Sequence, residues 1–216
     1  QEVRETAALA IGLSAKTDAI DDLVALAKDS AKGRSLCDRK EVDDRTRSFA
    51  AYGLGLVSYA TSDNAVKAQA LDALSSILED DSISDRNVRV AAITAIGLLR
   101  PEMSANAEGA DGKDGRALFL AAMDALDKYW QKNLGKGEQL IQSHCPTAVA
   151  KLYKSVDDID AEENEDLRKR LESHEKDWLD AVNAKGRFER ANINMGQSAV
   201  LALGQTTEPN NGRKDT

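Results

Sequence analysis

Aromatic residues are scarce in this chain, 4% of 216 residues, and so are proline with three, cysteine with two and histidine with two. Each scarcity excludes something. Few large rings, beside an apolar set dominated by alanine and leucine, argue against a β-sandwich core and for helices packed through small side chains. Cys37 and Cys145 stand far apart with no close Cys or His partner in a zinc spacing, so neither a metal framework nor a disulfide scaffold is expected. They leave the compartment open, cytoplasmic or exported after loss of a leader. No apolar run reaches the roughly 18 residues a membrane helix needs, so no transmembrane segment is expected. Positive charge is also in deficit: Lys plus Arg total 29 against 37 for Asp plus Glu, a net charge of −8. A surface of that sign repels phosphate backbones, which excludes nucleic acid as the expected partner.

What the chain does have is a pattern used three times. Arg4 leads to Ala7 and Gly12, Arg47 to Ala50 and Gly55, and Arg89 to Ala92 and Gly97, the units recurring 43 and then 42 residues apart. A fixed period in the forties, carried by helix formers, predicts stacked helical hairpins, each too small to bury its apolar face alone. Alanine at the third position and glycine at the eighth remove bulk where one helix must approach its neighbour closely. The arginine either bridges adjacent repeats through an aspartate or a carbonyl, or covers apolar surface with its stem while its head stays wet. The chain opens without Met and within two residues of its own pattern, so it is expected to be a piece of a longer repeat protein.

Apolar spacing predicts helices over 3–13, 20–27, 44–60 and 64–79. A further helix holds Val88, Ala92, Ile96 and Leu99, with Asp85 as its N-cap and Pro101 stopping it, and is partnered by 116–131. The segments 28–43 and 102–115 carry glycines among charges and are expected as long loops. After Gly137 the rhythm lapses, and 138–154 has apolar residues for one or two short helices. Seven acids in 157–166 open a helix whose apolar face carries Leu167, Leu171, Trp178, Leu179 and Val182. The stretch Ala199-Val-Leu-Ala-Leu-Gly204 repeats the opening pattern with Gly196 in place of the arginine. Residues 206–216 are expected as a disordered tail.

Val3-Arg-Glu-Thr-Ala7-Ala-Leu-Ala-Ile-Gly12, Arg47-Ser-Phe-Ala50-Ala-Tyr-Gly-Leu-Gly55 and Val88-Arg-Val-Ala-Ala-Ile-Thr-Ala-Ile-Gly97 resemble HEAT-like repeats of the bacterial type. The resemblance covers about 1–131 and a degenerate copy at 188–205. It implies an all-α fold: an armadillo-like α-solenoid, a right-handed stack of antiparallel hairpins in which the second helix of each pair lines the inner face. The expected organisation is one domain over 1–205, with regular repeats to 131, an irregular helical segment over 132–187 and the degenerate helix over 188–205. Such repeats serve scaffolds, adaptors, lyase subunits and a few enzymes, so the resemblance speaks to fold and leaves function open.

Candidate chemistry is thin. His174-Glu175 is the one pair similar to the iron-binding His-Glu pairs of HEAT-like deoxyhypusine hydroxylases, but with His144 as the only other histidine the multi-histidine site cannot be assembled. Gly135-Lys136-Gly137 lacks the earlier glycine and the following hydroxyl of a phosphate loop. Counting an EF-hand from Asp111 puts Ala122 where a bidentate glutamate belongs. Cys145 beside His144 suggests a thiolate and its base, yet adjacent residues rarely face each other, so a buried thiol is expected. No catalytic, cofactor or metal residues are assigned. The possible partner-binding residues are Tyr129, Trp130 and Trp178, either exposed as anchors or, the favoured placement, buried as core fillers. The acids Asp157, Asp158, Glu162 and Glu163 join them as a surface for a basic partner or as a solvated helix start. The function expected is a noncatalytic protein-protein interaction scaffold with a protein or peptide partner. The alternatives are a structural spacer within a larger protein and, third, a lyase-type or hydroxylase-type subunit.

Overall fold

A computed structural model describes residues 2–103 and 114–207, and among them the only regular structure is helical. The chain divides into two compact units, Gln1–Leu126 and Asp127–Thr216. In the first lie α1 (Glu2–Leu13), α2 (Ile20–Ala27), α3 (Ala31–Cys37), α4 (Asp44–Ala60), α5 (Asn64–Glu79), α6 (Arg86–Ile96) and most of α7 (Gly115–Trp130). Helix starts are written into the sequence as short acceptors. Asp43 caps α4 by accepting from the Thr46 amide at 3.0 Å, Asp63 caps α5 through Ala65 at 2.8 Å, and Asp85 caps α6 through Asn87 and Val88 at 2.8 and 3.1 Å.

Helix α4 packs against α1 on one side and α6 on the other, with α2 and α5 beside them. The repeated small residues set these contacts. A β-carbon on Gly12 would meet the Gly53 backbone, and one on Gly55 would lie 2.7 Å from the Ala95 α-carbon, so only a hydrogen fits at either place. Position eight of one helix therefore faces position six of the next. The side chains that complete this core, among them Leu23, Leu54, Leu74, Ile93 and Ile96, are buried.

The three repeated arginines do the same work. Arg4 Nη1 donates to the Cys37 carbonyl at 3.0 Å, Arg47 Nε to Ala27 at 3.2 Å, and Arg89 Nη2 to Asp80 at 3.4 Å. Each acceptor sits at the C-terminal end of α3, α2 or α5, where carbonyls lack intrahelical partners and the helix dipole favours a cation. Arg47 and Arg89 thus reach the preceding repeat of the pattern through its carbonyls, whereas Arg4 bonds α3 of its own repeat.

Three boundaries differ from expectation. The span 28–43 is not a plain loop, because α3 forms within it: Ser30 caps it by accepting from the Gly33 amide at 3.2 Å. Gly33, expected as a loop glycine, is helical and pressed on α2, where a β-carbon would come within 2.1 Å of the Ala25 carbonyl oxygen. Helix α6 ends at Ile96, so Leu99 is buried beyond the helix and Pro101 follows later still. In 102–115, residues 104–113, and with them Asp111, lie outside the described residues; Gly115 opens α7, where a β-carbon would collide with the Glu102 carbonyl.

The second unit holds the end of α7 with α8 (Lys136–Gln142), α9 (Cys145–Tyr153), α10 (Glu165–Val182) and α11 (Ile193–Thr206). Pro146 stands in the first turn of α9, where its missing N–H costs nothing. Helix α11 packs against both α9 and α10. Buried Gln142 closes the C-terminal end of α7, its Nε2 donating to the carbonyls of Tyr129, Trp130 and Lys132 at 2.9, 3.2 and 2.7 Å. The irregular half is thus tied together by polar capping where the first unit relies on repeated glycines. Helix α10 begins at Glu165, later than the acidic run suggested, and Leu179 and Val182 fall on its exposed side while Leu167, Leu171 and Trp178 are buried. Of the expected tail, Thr206 ends α11 and 208–216 lies outside the described residues.

Candidate functional site

Two features of the second unit compete for a role. The first is a polar chain crossing three helices. On α7, the Asp127 carboxylate receives Nε2 of His174 at 2.9 and 3.0 Å and Nη2 of Arg170 at 2.7 Å, both donors coming from α10. On the other side of the ring, Nδ1 lies 3.2 Å from the Tyr153 hydroxyl of α9. The imidazole stacks on Trp178 with centroids 5.8 Å apart. Burial pushes the Asp127 carboxyl up, but the hydrogen bonds and charges of His174 and Arg170 outweigh it and hold the group below its ordinary range. Shared by a carboxylate, Nε2 carries a proton, so Nδ1 accepts from Tyr153 while the ring is neutral.

An aspartate orienting a histidine that meets a hydroxyl has the order of a catalytic relay. Its surroundings favour structure instead. Tyr153 is buried and its phenol is pushed well above its usual range, chiefly by that burial. Both nitrogens of the His174 ring are engaged by protein groups and one face is stacked on Trp178. Glu175, the other half of the predicted pair, turns to α11 and accepts from the Thr206 hydroxyl at 2.9 Å. The pair therefore ties α7, α9 and α11 to α10. Cys145 is fully buried and its thiol is pushed far up, first by desolvation and then by Asp127, which keeps it protonated and unreactive. His144 beside it is pushed down by burial alone. Among the described residues no group of three or more His, Cys, Asp or Glu is placed to hold a metal ion.

Tyr129, Trp130 and Trp178 are core residues rather than surface anchors. Burying a large ring removes more apolar area from water than any other choice available to this aromatic-poor chain. Trp130 is fixed further: its indole N–H donates to Asp177 at 2.5 Å, and the Arg187 guanidinium covers its face at 5.0 Å from the centroid. Asp157, Asp158, Glu162 and Glu163 are exposed. They belong to a turn, Asp158 accepting from the Asp160 amide and the Asn164 side chain, and Glu162 and Glu163 opening the short 3-10 turn ahead of α10.

The second feature is a cleft of about 300 Å³ at the junction of α10 and α11, lined mainly by Val182, Phe188, Ala191, Ile193, Met195 and Val200. Most of its lining side chains are apolar, and Asn192 and Gln197 are polar. Asn192 is a fixed point, its side chain capping α11 and donating to the Lys136 carbonyl at 3.0 Å. Of the residues that line it, Ile193, Val200 and Val182 are 75%, 54% and 40% exposed. Exposed apolar side chains occur singly on most surfaces, whereas a contiguous set around a concavity marks a contact surface. The sequence reasoning passed over these residues. The available signal was that the 14 residues of α11 include no charge and are apolar on more than one face.

Comparison with known protein families, with curated proteins and with solved structures finds no match. No described helix is long and apolar enough to cross a membrane.

Proposed function

We propose that this chain is a noncatalytic interaction scaffold, an array of stacked HEAT-like hairpins whose α10–α11 surface receives a protein or peptide partner. The observation that carries it is the exposed set Val182, Ile193 and Val200 lining the cleft. A surface of this kind gains by covering: each large aliphatic side chain taken out of water contributes about 1.5–3 kcal/mol before the costs of association. The stacked-hairpin reading is supported by the shared register of α1, α4 and α6 and by the recurring arginine-to-carbonyl contact. The closed state of the Asp127, His174 and Tyr153 chain supports a structural duty for the polar groups of the second unit.

A photoreactive side chain at position 200 tests the proposal, with position 176 on the exposed side of α10 as the comparison. Adducts with a protein or peptide are expected at 200, are lost with Ile193→Asp, and are absent at 176. Equal labelling at the two positions overturns it.

A further inference from the structure

Counted from the repeated arginine, α4 runs on to Ala60 but α6 stops early at Ile96, so the last turns of α4 have no helical counterpart in α6. The chain leaves α6 by another route. Leu99 is buried, and at Arg100 the backbone takes φ +42°, a left-handed conformation uncommon outside glycine. Arg100 lies over the end of α4, its guanidinium carbon 5.1 Å from the centroid of the Tyr59 ring. Tyr59 is 52% exposed, and Arg100 is exposed as well. Tyrosine and arginine are among the residue types most enriched where protein contacts concentrate their energy.

The pair is held from beneath. The Arg100 carbonyl accepts from the Lys67 ammonium at 2.5 Å, and the Asn64 side chain grips the backbone carbonyl and amide of Glu102, each at 3.1 Å. Lys67 and Asn64 are buried residues of α5, so that helix fixes the main chain on which Arg100 stands. The Tyr59 ring fixes the side chain. The nearby acids are engaged elsewhere: Glu102 lies 3.9 Å from the Lys67 ammonium, and Asp63 caps α5. Arg34, Arg45, Arg170 and Arg187 each meet a carboxylate within 2.9 Å, whereas Arg100 meets none among the described residues.

We propose that Tyr59 and Arg100 form an anchor for an oxyanion presented by an acidic peptide segment of a partner protein. A guanidinium offers N–H donors in a planar fork that matches a carboxylate or a phosphate, and stacking its face on a ring leaves the edge of that fork open. An exposed arginine ordinarily gains little from an acid, because ordering its long side chain offsets the attraction. Here α5 pins the backbone and Tyr59 carries the side chain, so that ordering is complete before a partner arrives. The anchor lies wholly within the first unit and uses none of the α10 and α11 residues.

NMR titration of the isotope-labelled whole chain at low salt tests this, the probe being a short Gly/Ser peptide with a central Leu-Glu pair, taken to millimolar concentration. The backbone amides of Tyr59 and Arg100 and the Arg100 Nε–H are expected to shift and saturate. The Nε–H of Arg190, exposed and stacked on no ring among the described residues, stays in place. Glutamine in place of the glutamate abolishes the shifts. Arg100→Lys keeps the charge but loses the fork, and Tyr59→Leu keeps the arginine but loses its platform; each is expected to weaken binding about tenfold, read from the backbone amides. Both side chains are exposed, so circular dichroism of the variants is expected to match wild type. A phosphoserine version of the peptide identifies the oxyanion: tighter binding than the glutamate peptide assigns a phosphate, and equal or weaker binding a carboxylate. Shifts that persist with the glutamine peptide, binding unchanged in either variant, or no shift with either anionic peptide overturns the proposal.

Discussion

Gly12 and Gly53 lie so close that a β-carbon on Gly12 would stand 2.5 Å from the Gly53 α-carbon. The spacing between α1 and α4 is therefore a backbone distance, fixed by two glycines. Gly12→Val is expected to lower stability by about 1–3 kcal/mol, because the helices must part to admit it. Gly204→Ala, on the same repeat position of α11 with open space around it, is expected to raise stability by up to about 1 kcal/mol through helix propensity. Urea denaturation of the two variants checks both signs.

Asp127 anchors α10 through two donors, and Asp127→Asn leaves Arg170 without its counter-charge and His174 without its carboxylate acceptor. A loss of about 1–3 kcal/mol is expected near neutral pH. The folded carboxyl lies below the ordinary 3.8, so its contribution is fully present above that value and is lost as pH falls through the lower, folded value. Stability measured against pH should accordingly show a shallower acid limb in the variant.

Lys67 is 1% exposed, its ammonium donating to the Arg100 carbonyl at 2.5 Å with Glu102 at 3.9 Å. Burial pushes its pKa below the ordinary 10.5, more than Glu102 restores. In the window between the folded value and 10.5 the unfolded chain holds more protons, so stability rises with pH. The stability of wild type relative to Lys67→Met should therefore grow as pH is raised through that window, and thermal melts in alkaline buffers measure it.

Arg187 clamps the end of α7. It donates to the Trp130 carbonyl at 3.0 Å and to Asp177 at 2.8 Å while covering the rings of Trp130 and Phe188. With 39% of its side chain in solvent, Arg187→Ala is expected to cost only about 1 kcal/mol. In a Trp178→Phe background, where Trp130 is the remaining tryptophan, its emission should shift to the red as water reaches the ring.

The expectations that held were local. Asp85 capping α6, the bounds of α5 and the small residues facing neighbouring helices follow from one side chain and the few residues after it, which sequence order already places together. What escaped was decided by distant contact. Gly33 reads as a loop residue because glycine disfavours helices, yet the Ala25 carbonyl presses so close that glycine alone fits there. Leu179 and Val182 share a helical stripe with Leu167 and Trp178, but α11 covers only part of α10. His174 stands beside Glu175 in sequence, whereas its partners Asp127 and Tyr153 come from other helices.

By itself, then, the sequence determined that this protein is helical, where most helices start, and that glycine and alanine recur at fixed offsets, because capping and periodicity act over a turn or two of helix. Which carbonyl each arginine meets, which histidine partner is real, and which apolar residues remain uncovered on α1 and α11 were decided only by the tertiary structure. Those outcomes depend on which helix faces meet, and a face is covered or bare only once its neighbours are in place.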